Sequence, residues 1–135
     1  MSRRELREHL LRMLFRKDFH NETELQEQFD LYFEDLEQPK ENDIAYLQKK
    51  IDKIISMLSE IDGIIEESSF GWKLNRIGKV DLTILRLAVY EIKFDEDIPV
   101  SVAINEAVEL AKIFGEDQSP SFINGILAKI VKTDE

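Results

Sequence analysis

Apolar residues recur along most of this chain at spacings of three and four, the period of an α-helix with one face against a core. Over residues 3–19, Leu6, Leu10, Met13 and Leu14, with Leu11, form the first such stripe. His20-Asn21-Glu22 breaks it. A second helix is expected to run to about Leu36, with Leu25, Phe29, Tyr32, Phe33 and Leu36 facing in. Its start fits a capping box at either Asn21 with Glu24 or Thr23 with Gln26, and Pro39 ends it. Next, Ile44, Leu47, Ile51, Ile54, Ile55, Leu58 and Ile61 predict one long helix, capped by Asn42 or Asp43 and closed by a turn at Asp62-Gly63. Ile64-Ile65-Glu66-Glu67 reads as a short helical piece. Ser68 to Gly78 reads as irregular or helical in pieces, with Trp72, Leu74 and Ile77 expected to plug the junction between two halves.

Residues 80–94 are patterned differently. Leu82, Ile84, Leu85, Leu87, Ala88, Val89 and Ile92 surround the helix instead of striping it. A helix apolar nearly all round is a buried one. At about 20 Å it is too short, and too polar at its ends, to cross a bilayer. It is therefore expected to be the central post, with Asp81 as its N-cap. Pro99 bars its continuation. Val100 to Phe114 predicts the next helix, with Val102, Ala103, Ala107, Val108, Leu110, Ala111 and Phe114 inward and Gly115 as its stop. Ser119-Pro120 supplies a cap and first turn for the last helix, which carries Phe122, Ile123, Ile126, Leu127, Ile130 and Val131. No strand pattern appears. The reading is all-α: six to seven helices in two small bundles, about residues 1–70 and 71–135, packed into a single domain over residues 1–135.

A chain of 135 residues without cysteine has no disulfide framework, no thiolate metal site and no thiol nucleophile. That fits a reducing compartment. The charged N-terminus does not resemble a signal peptide, and no segment reaches membrane-spanning length. A cytoplasmic location is expected.

The net charge of −10 speaks against a nucleic-acid partner until its distribution is considered. Residues 1–17 hold six basic and two acidic side chains, whereas the remainder holds 12 and 26. Such asymmetry marks a local interaction surface, or a basic first helix docked on an acidic remainder. Arg3, Arg4 and Arg7 cluster where positive charge opposes the helix dipole, which favours an anionic partner. Phe15 suits the core better than it suits a stacking platform.

Nothing points to an enzyme. His9 and His20 lie roughly three helical turns apart without further metal ligands. No glycine-rich phosphate loop, HExxH or Ser/His/Asp set is present. Arg86, Glu91, Asn105 and Glu106 read as a structural hydrogen-bond network, and Gly125 as a close-packing glycine.

Several longer stretches resemble a known family. VDLTILRLAVYEI (residues 80–92), Ile98-Pro99, AINEAVELAK (103–112), Phe114-Gly115, Ser119 and FINGIL (122–127) closely resemble the NusB family of bacterial transcription antitermination factors. The Arg3-Arg4…Arg7-Glu8 run with Leu14-Phe15 resembles that family's arginine-rich first helix. The similarity spans the chain, most specifically over residues 72–131.

The resemblance implies an all-α fold of two packed helical bundles and no cofactor. It also implies pairing with ribosomal protein NusE, binding of boxA single-stranded leader RNA, and action with RNA polymerase and other Nus factors. Premature termination would be suppressed, notably in ribosomal RNA operons. By position it implies RNA contacts at Arg3, Arg4, Arg7 and Phe15, and at Lys112, Phe114, Phe122 and Asn124. Asp81 and Arg86, on an exposed edge of the central helix, would face NusE. Pro120-Ser121 stand where relatives often carry a basic residue, which implies weak RNA binding without the partner. Homodimerisation, which would cover the RNA surface, stays open. The competing readings are the RNA-recognition module found in ribosomal RNA cytosine methyltransferases, and a helical protein-interaction scaffold.

Overall fold

The structure is a computed structural model that describes residues 1–133. The described residues form seven α-helices and two short 3-10 turns joined by loops, with no strand. The chain divides into two compact units, Met1–Ile55 and Ser56–Glu135.

In the first unit, α1 spans Arg3–Phe15. Ser2 caps it: its hydroxyl accepts from the Glu5 N–H at 3.1 Å, and its own N–H donates to the Glu5 carboxylate at 3.3 Å. A 3-10 turn, Arg16–Phe19, follows. The same reciprocal cap starts α2 (Glu22–Glu34) at Asn21, with bonds of 2.9 and 3.2 Å to Glu24. This decides between the two boxes expected there. α3 spans Glu41–Ser56. It starts on the Lys40 carbonyl, which accepts from Ile44 N–H at 3.1 Å, so Asn42 and Asp43 lie in the first turn and not at the cap. Leu10, Leu11, Met13, Leu14, Leu25, Phe29, Leu47, Ile51 and Ile54 are buried. On the outer side, the amides of Gln26 and Gln48 exchange hydrogen bonds of 3.0 and 3.2 Å between α2 and α3.

The stripe over residues 44–61 is not one helix. At Met57 (φ −106°, ψ 7°) the backbone leaves helical geometry, and α4 (Leu58–Ser68) begins. The apolar spacing runs unbroken through Ile54, Leu58, Ile61 and Ile65, all buried, so hydrophobicity carries no sign of the break. Asp62-Gly63 lies inside α4 instead of turning the chain.

In the second unit a 3-10 turn at Leu74–Arg76 leads into α5 (Lys79–Phe94). Every residue from Leu82 to Glu91 is buried. Helices α4, α6 (Val100–Phe114) and α7 (Ser119–Thr133) all pack against α5, which is the central post that its pattern required. Gly78, not Asp81, holds the N-cap position, and its carbonyl accepts from Leu82 N–H at 2.8 Å. Asp81 sits in the first turn, where a carboxylate still meets the positive helix end.

Between α6 and α7, Gly115 is needed for space and not for conformation. Its φ is −95°, open to any residue. A Cβ there would lie 2.6 Å from the Ser119 side chain and 2.9 Å from the Ala111 carbonyl. Ser119 is buried within the start of α7, and its hydroxyl accepts from the Glu116 N–H at 2.9 Å. It ties down the entering turn and does not occupy the cap position expected of it. Val102, expected inward, is 42 % exposed.

Candidate nucleic-acid interface

Helix α1 does not carry its arginines on one stripe. Arg7 and Arg12 are five residues apart, which rotates them by about 140° around the axis. Arg3 and Arg4 are exposed at the start of the helix, whereas Arg7 is buried with 8 % exposure. Arg12 and Arg16 lie on another side and attend to Tyr32 of α2. The Arg16 guanidinium sits over the Tyr32 ring at 4.8 Å, and its Nη1 donates to the Arg12 carbonyl at 2.6 Å. Arg12 hydrogen-bonds the Tyr32 phenol. His9 Nδ1 lies 2.6 Å from the same phenol oxygen, with the two rings edge to face.

Burial raises the Tyr32 pKa, against the opposing pull of Arg12 and Arg16. Burial, then the Arg12 charge, lowers that of His9. Tyr32 was legible only as an apolar core position. The signal for its polar role is the 9–12–16 spacing of its partners, which places them on one helix face.

Phe15 is half-buried and stacks at 5.2 Å from Phe19, which is 58 % exposed. The first unit thus presents two exposed arginines at the helix start and an aromatic pair at its end.

In the second unit, Lys112 and Asn124 are exposed, and Phe114 and Phe122 are half-buried. Lys112 pairs with Glu109 at 3.0 Å. Phe122 lines a cleft of about 220 Å³ together with Trp72, Arg76, Asp81 and Gln118. Trp72 is 51 % exposed and does not plug a core; of the three residues expected there, only Ile77 is fully buried. Burying an indole needs a partner for its N–H, and the tight turn at residues 69–72 directs the ring outward instead. Beside it, Phe70 is 60 % exposed, with the Lys129 ammonium 4.8 Å above its ring.

Arg86 is not on an exposed edge. It is buried, and its Nε and Nη2 donate to the two carboxylate oxygens of Asp62 on α4 at 2.8 and 2.9 Å. Asp81 is partly exposed at the cleft. Of the other residues expected in a network with Arg86, Glu91 is buried and Asn105 is exposed, and Asp62 is a partner of Arg86 that spacing did not reveal. Gly125 is not a close-packing residue: the nearest atom to a Cβ there is Phe70 Cε2 at 3.8 Å, an ordinary contact.

Among the described residues, no group of three or more His, Asp or Glu side chains is placed to hold a metal ion. No helix among them is long and apolar enough to cross a membrane.

Compared with known proteins, residues 4–132 match the family model described as NusB family. The chain belongs to the NusB family. It is 60% identical over 131 residues to the transcription antitermination protein NusB of Lachnoclostridium phytofermentans, covering 97% of this chain and 99% of that protein. Its fold is similar to that of T. maritima NusB, with a TM-score of 0.83, 35% identity, and coverage of 98% of this chain and 92% of the other. It is also similar to a chain from a crystal structure of the antitermination factors NusB and NusE in complex with double-stranded RNA. There the TM-score is 0.79 at 26% identity, over 97% and 96% of the two chains. Membership of the NusB family makes this a non-enzymatic antitermination-type protein, as the absence of catalytic motifs in the sequence leads one to expect.

Proposed function

We propose that this protein is a cytoplasmic transcription antitermination factor that pairs with NusE and binds boxA leader RNA. With RNA polymerase and other Nus factors, it suppresses premature termination, notably in ribosomal RNA operons. The observation that carries the reading is family membership across nearly the whole chain, joined to Arg3 and Arg4 standing exposed on an otherwise acidic protein. A NusB chain of the same fold in complex with NusE and RNA supports both partners. The near-complete coverage of the L. phytofermentans relative leaves no room in that protein for a methyltransferase domain, which favours the antitermination reading over the module reading.

In the first unit, Arg3 and Arg4 contact phosphates through guanidinium hydrogen bonds. Arg7 supports them from its buried position, and Phe15 offers a ring. In the second unit, Lys112, Phe114, Phe122 and Asn124 form the remaining RNA-facing set, and Asp81 contributes to NusE recognition. Arg86 acts on that recognition only by holding α5 to α4.

The test is a titration of labelled boxA RNA with the protein alone and with NusE, at two salt concentrations. Tighter binding with NusE and a salt-dependent affinity are expected. Equal affinity with and without NusE overturns the partner dependence, and absence of RNA binding in both arms overturns the function.

A further inference from the structure

We infer that the cleft lined by Trp72 and Phe122 receives one unpaired nucleobase of the bound RNA, with Trp72 as its stacking surface. The inference rests on the RNA-binding reading above and adds to it a residue that spacing assigned to the core.

Trp72 is held out by construction. Its N–H donates to the Ser69 carbonyl at 3.0 Å, closing a four-residue turn whose central residues, Phe70 and Gly71, have φ of 54° and 90°. That is the type I′ arrangement, natural for glycine and unfavourable for a bulky side chain such as Phe70. Ser69 is fully buried, and its hydroxyl donates to the Glu66 carbonyl at 3.0 Å and also contacts the Trp72 carbonyl. The backbone therefore accepts a strained residue and a buried anchor where a relaxed loop would let the indole fold away. A strained turn that keeps a large apolar ring in water is a feature of ligand sites.

The cleft has the size and chemistry for a base. At about 220 Å³ it is smaller than the ~300–1,000 Å³ typical of sites for drug-sized ligands, so it suits a single heterocycle. Aromatic surface comes from Trp72 and Phe122. The Gln118 amide offers an acceptor and a donor for a base edge, and Arg76 offers a cation for the adjoining phosphate. Stacking with edge recognition is how proteins read unpaired bases. A protein helix or strand would need an extended groove with several anchor positions, which a cleft of this volume does not supply.

Trp72 is the only tryptophan in the chain, so it reports on its own occupancy. The protein, alone and with NusE, is titrated with fluorescein-labelled single-stranded boxA RNA, following anisotropy, and in parallel with unlabelled RNA, following tryptophan emission. Saturable quenching that tracks the anisotropy curve is expected. Trp72→Ala should weaken binding roughly five- to 150-fold, the equivalent of about 1–3 kcal/mol for one lost stack. Trp72→Phe should retain most of the affinity, and both variants should melt as the parent does.

Anisotropy that saturates while tryptophan emission stays constant overturns the cleft assignment and leaves RNA binding intact. So does a Trp72→Ala variant with parental RNA affinity. If Trp72→Ala loses NusE binding with RNA affinity unchanged, the cleft is a protein-docking site and the inference fails. No anisotropy change either alone or with NusE removes the RNA-binding reading itself.

Discussion

Arg86 grips Asp62 with two parallel hydrogen bonds, Nε to Oδ1 at 2.8 Å and Nη2 to Oδ2 at 2.9 Å, joining α5 to α4 within the second unit. The arginine side chain is 7 % exposed and the aspartate side chain 21 %. That asymmetry sets the expected outcome of mutation. Asp62→Ala leaves a guanidinium inside the protein without this carboxylate. Arg86→Ala leaves a carboxylate that water still reaches. Asp62→Ala should cost about 2–5 kcal/mol, and Arg86→Ala less. Urea unfolding of the two variants checks the order. Equal losses would mean that the carboxylate is as dependent on its partner as the guanidinium is.

The His9–Tyr32 contact predicts a pH dependence. Burial and the nearby Arg12 charge lower the His9 pKa in the folded protein, so the unfolded chain binds the proton more readily. Stability rises with pH wherever the unfolded state holds more protons. The contribution is therefore fully present above the unfolded value of about 6.5. It is lost progressively as pH falls below that value toward the lowered folded pKa. His9→Gln, which keeps a polar group beside the phenol, should flatten the melting-temperature profile between about pH 7 and 5. A parental slope in the variant would place the titrating group elsewhere.

Much of this architecture was legible in the spacing of apolar residues, because burial and helical period are properties of single segments. The all-round apolar run at residues 80–94 announced a buried post, and Val100–Phe114 was readable to the residue because Pro99 and Gly115 bound it. What spacing hid falls into two kinds. The Met57 break and the Asp62-Gly63 stretch were misread because a helix can be interrupted, or continue through glycine, without changing which residues are apolar. Arg86, Asp62, Trp72 and Tyr32 were misread because their roles depend on residues distant in sequence. Asp62 stands 24 positions from Arg86, and Tyr32 stands 23 from His9. Of the candidate interface, Arg3, Arg4, Lys112 and Asn124 are exposed as their expected roles require, whereas Arg7 and Arg86 are not.

The two glycines near the C-terminal helix should respond oppositely to alanine. At Gly115 the new methyl would press on the Ser119 side chain and the Ala111 carbonyl at 2.6 and 2.9 Å, so the α6–α7 turn must shift. Overpacking of this kind costs about 1–3 kcal/mol. At Gly125, inside α7, the methyl meets only Phe70 at 3.8 Å. Alanine there should be neutral or stabilise by up to about 1 kcal/mol through helix propensity. Thermal melts of the two variants separate these outcomes, and a destabilised Gly125→Ala would restore the close-packing role.

The split arrangement of the α1 arginines predicts a separation between binding and stability. Arg4 is exposed at the helix start, where its charge gains nothing from the helix dipole and a solvent-screened contact contributes little, so Arg4→Ala should change stability by less than about 1 kcal/mol. Each phosphate contact on single-stranded RNA contributes about 0.7 to the slope of log K against log salt. Arg4→Ala should therefore lower boxA affinity and flatten that slope by about this amount. The Arg12 side chain interacts with the Tyr32 phenol of α2. Arg12→Ala should lower stability by roughly 1 kcal/mol and leave the salt slope near the parental value. Measured side by side, the two variants decide whether the basic character of this helix is one surface or two. A loss of salt slope in Arg12→Ala equal to that in Arg4→Ala would make it one.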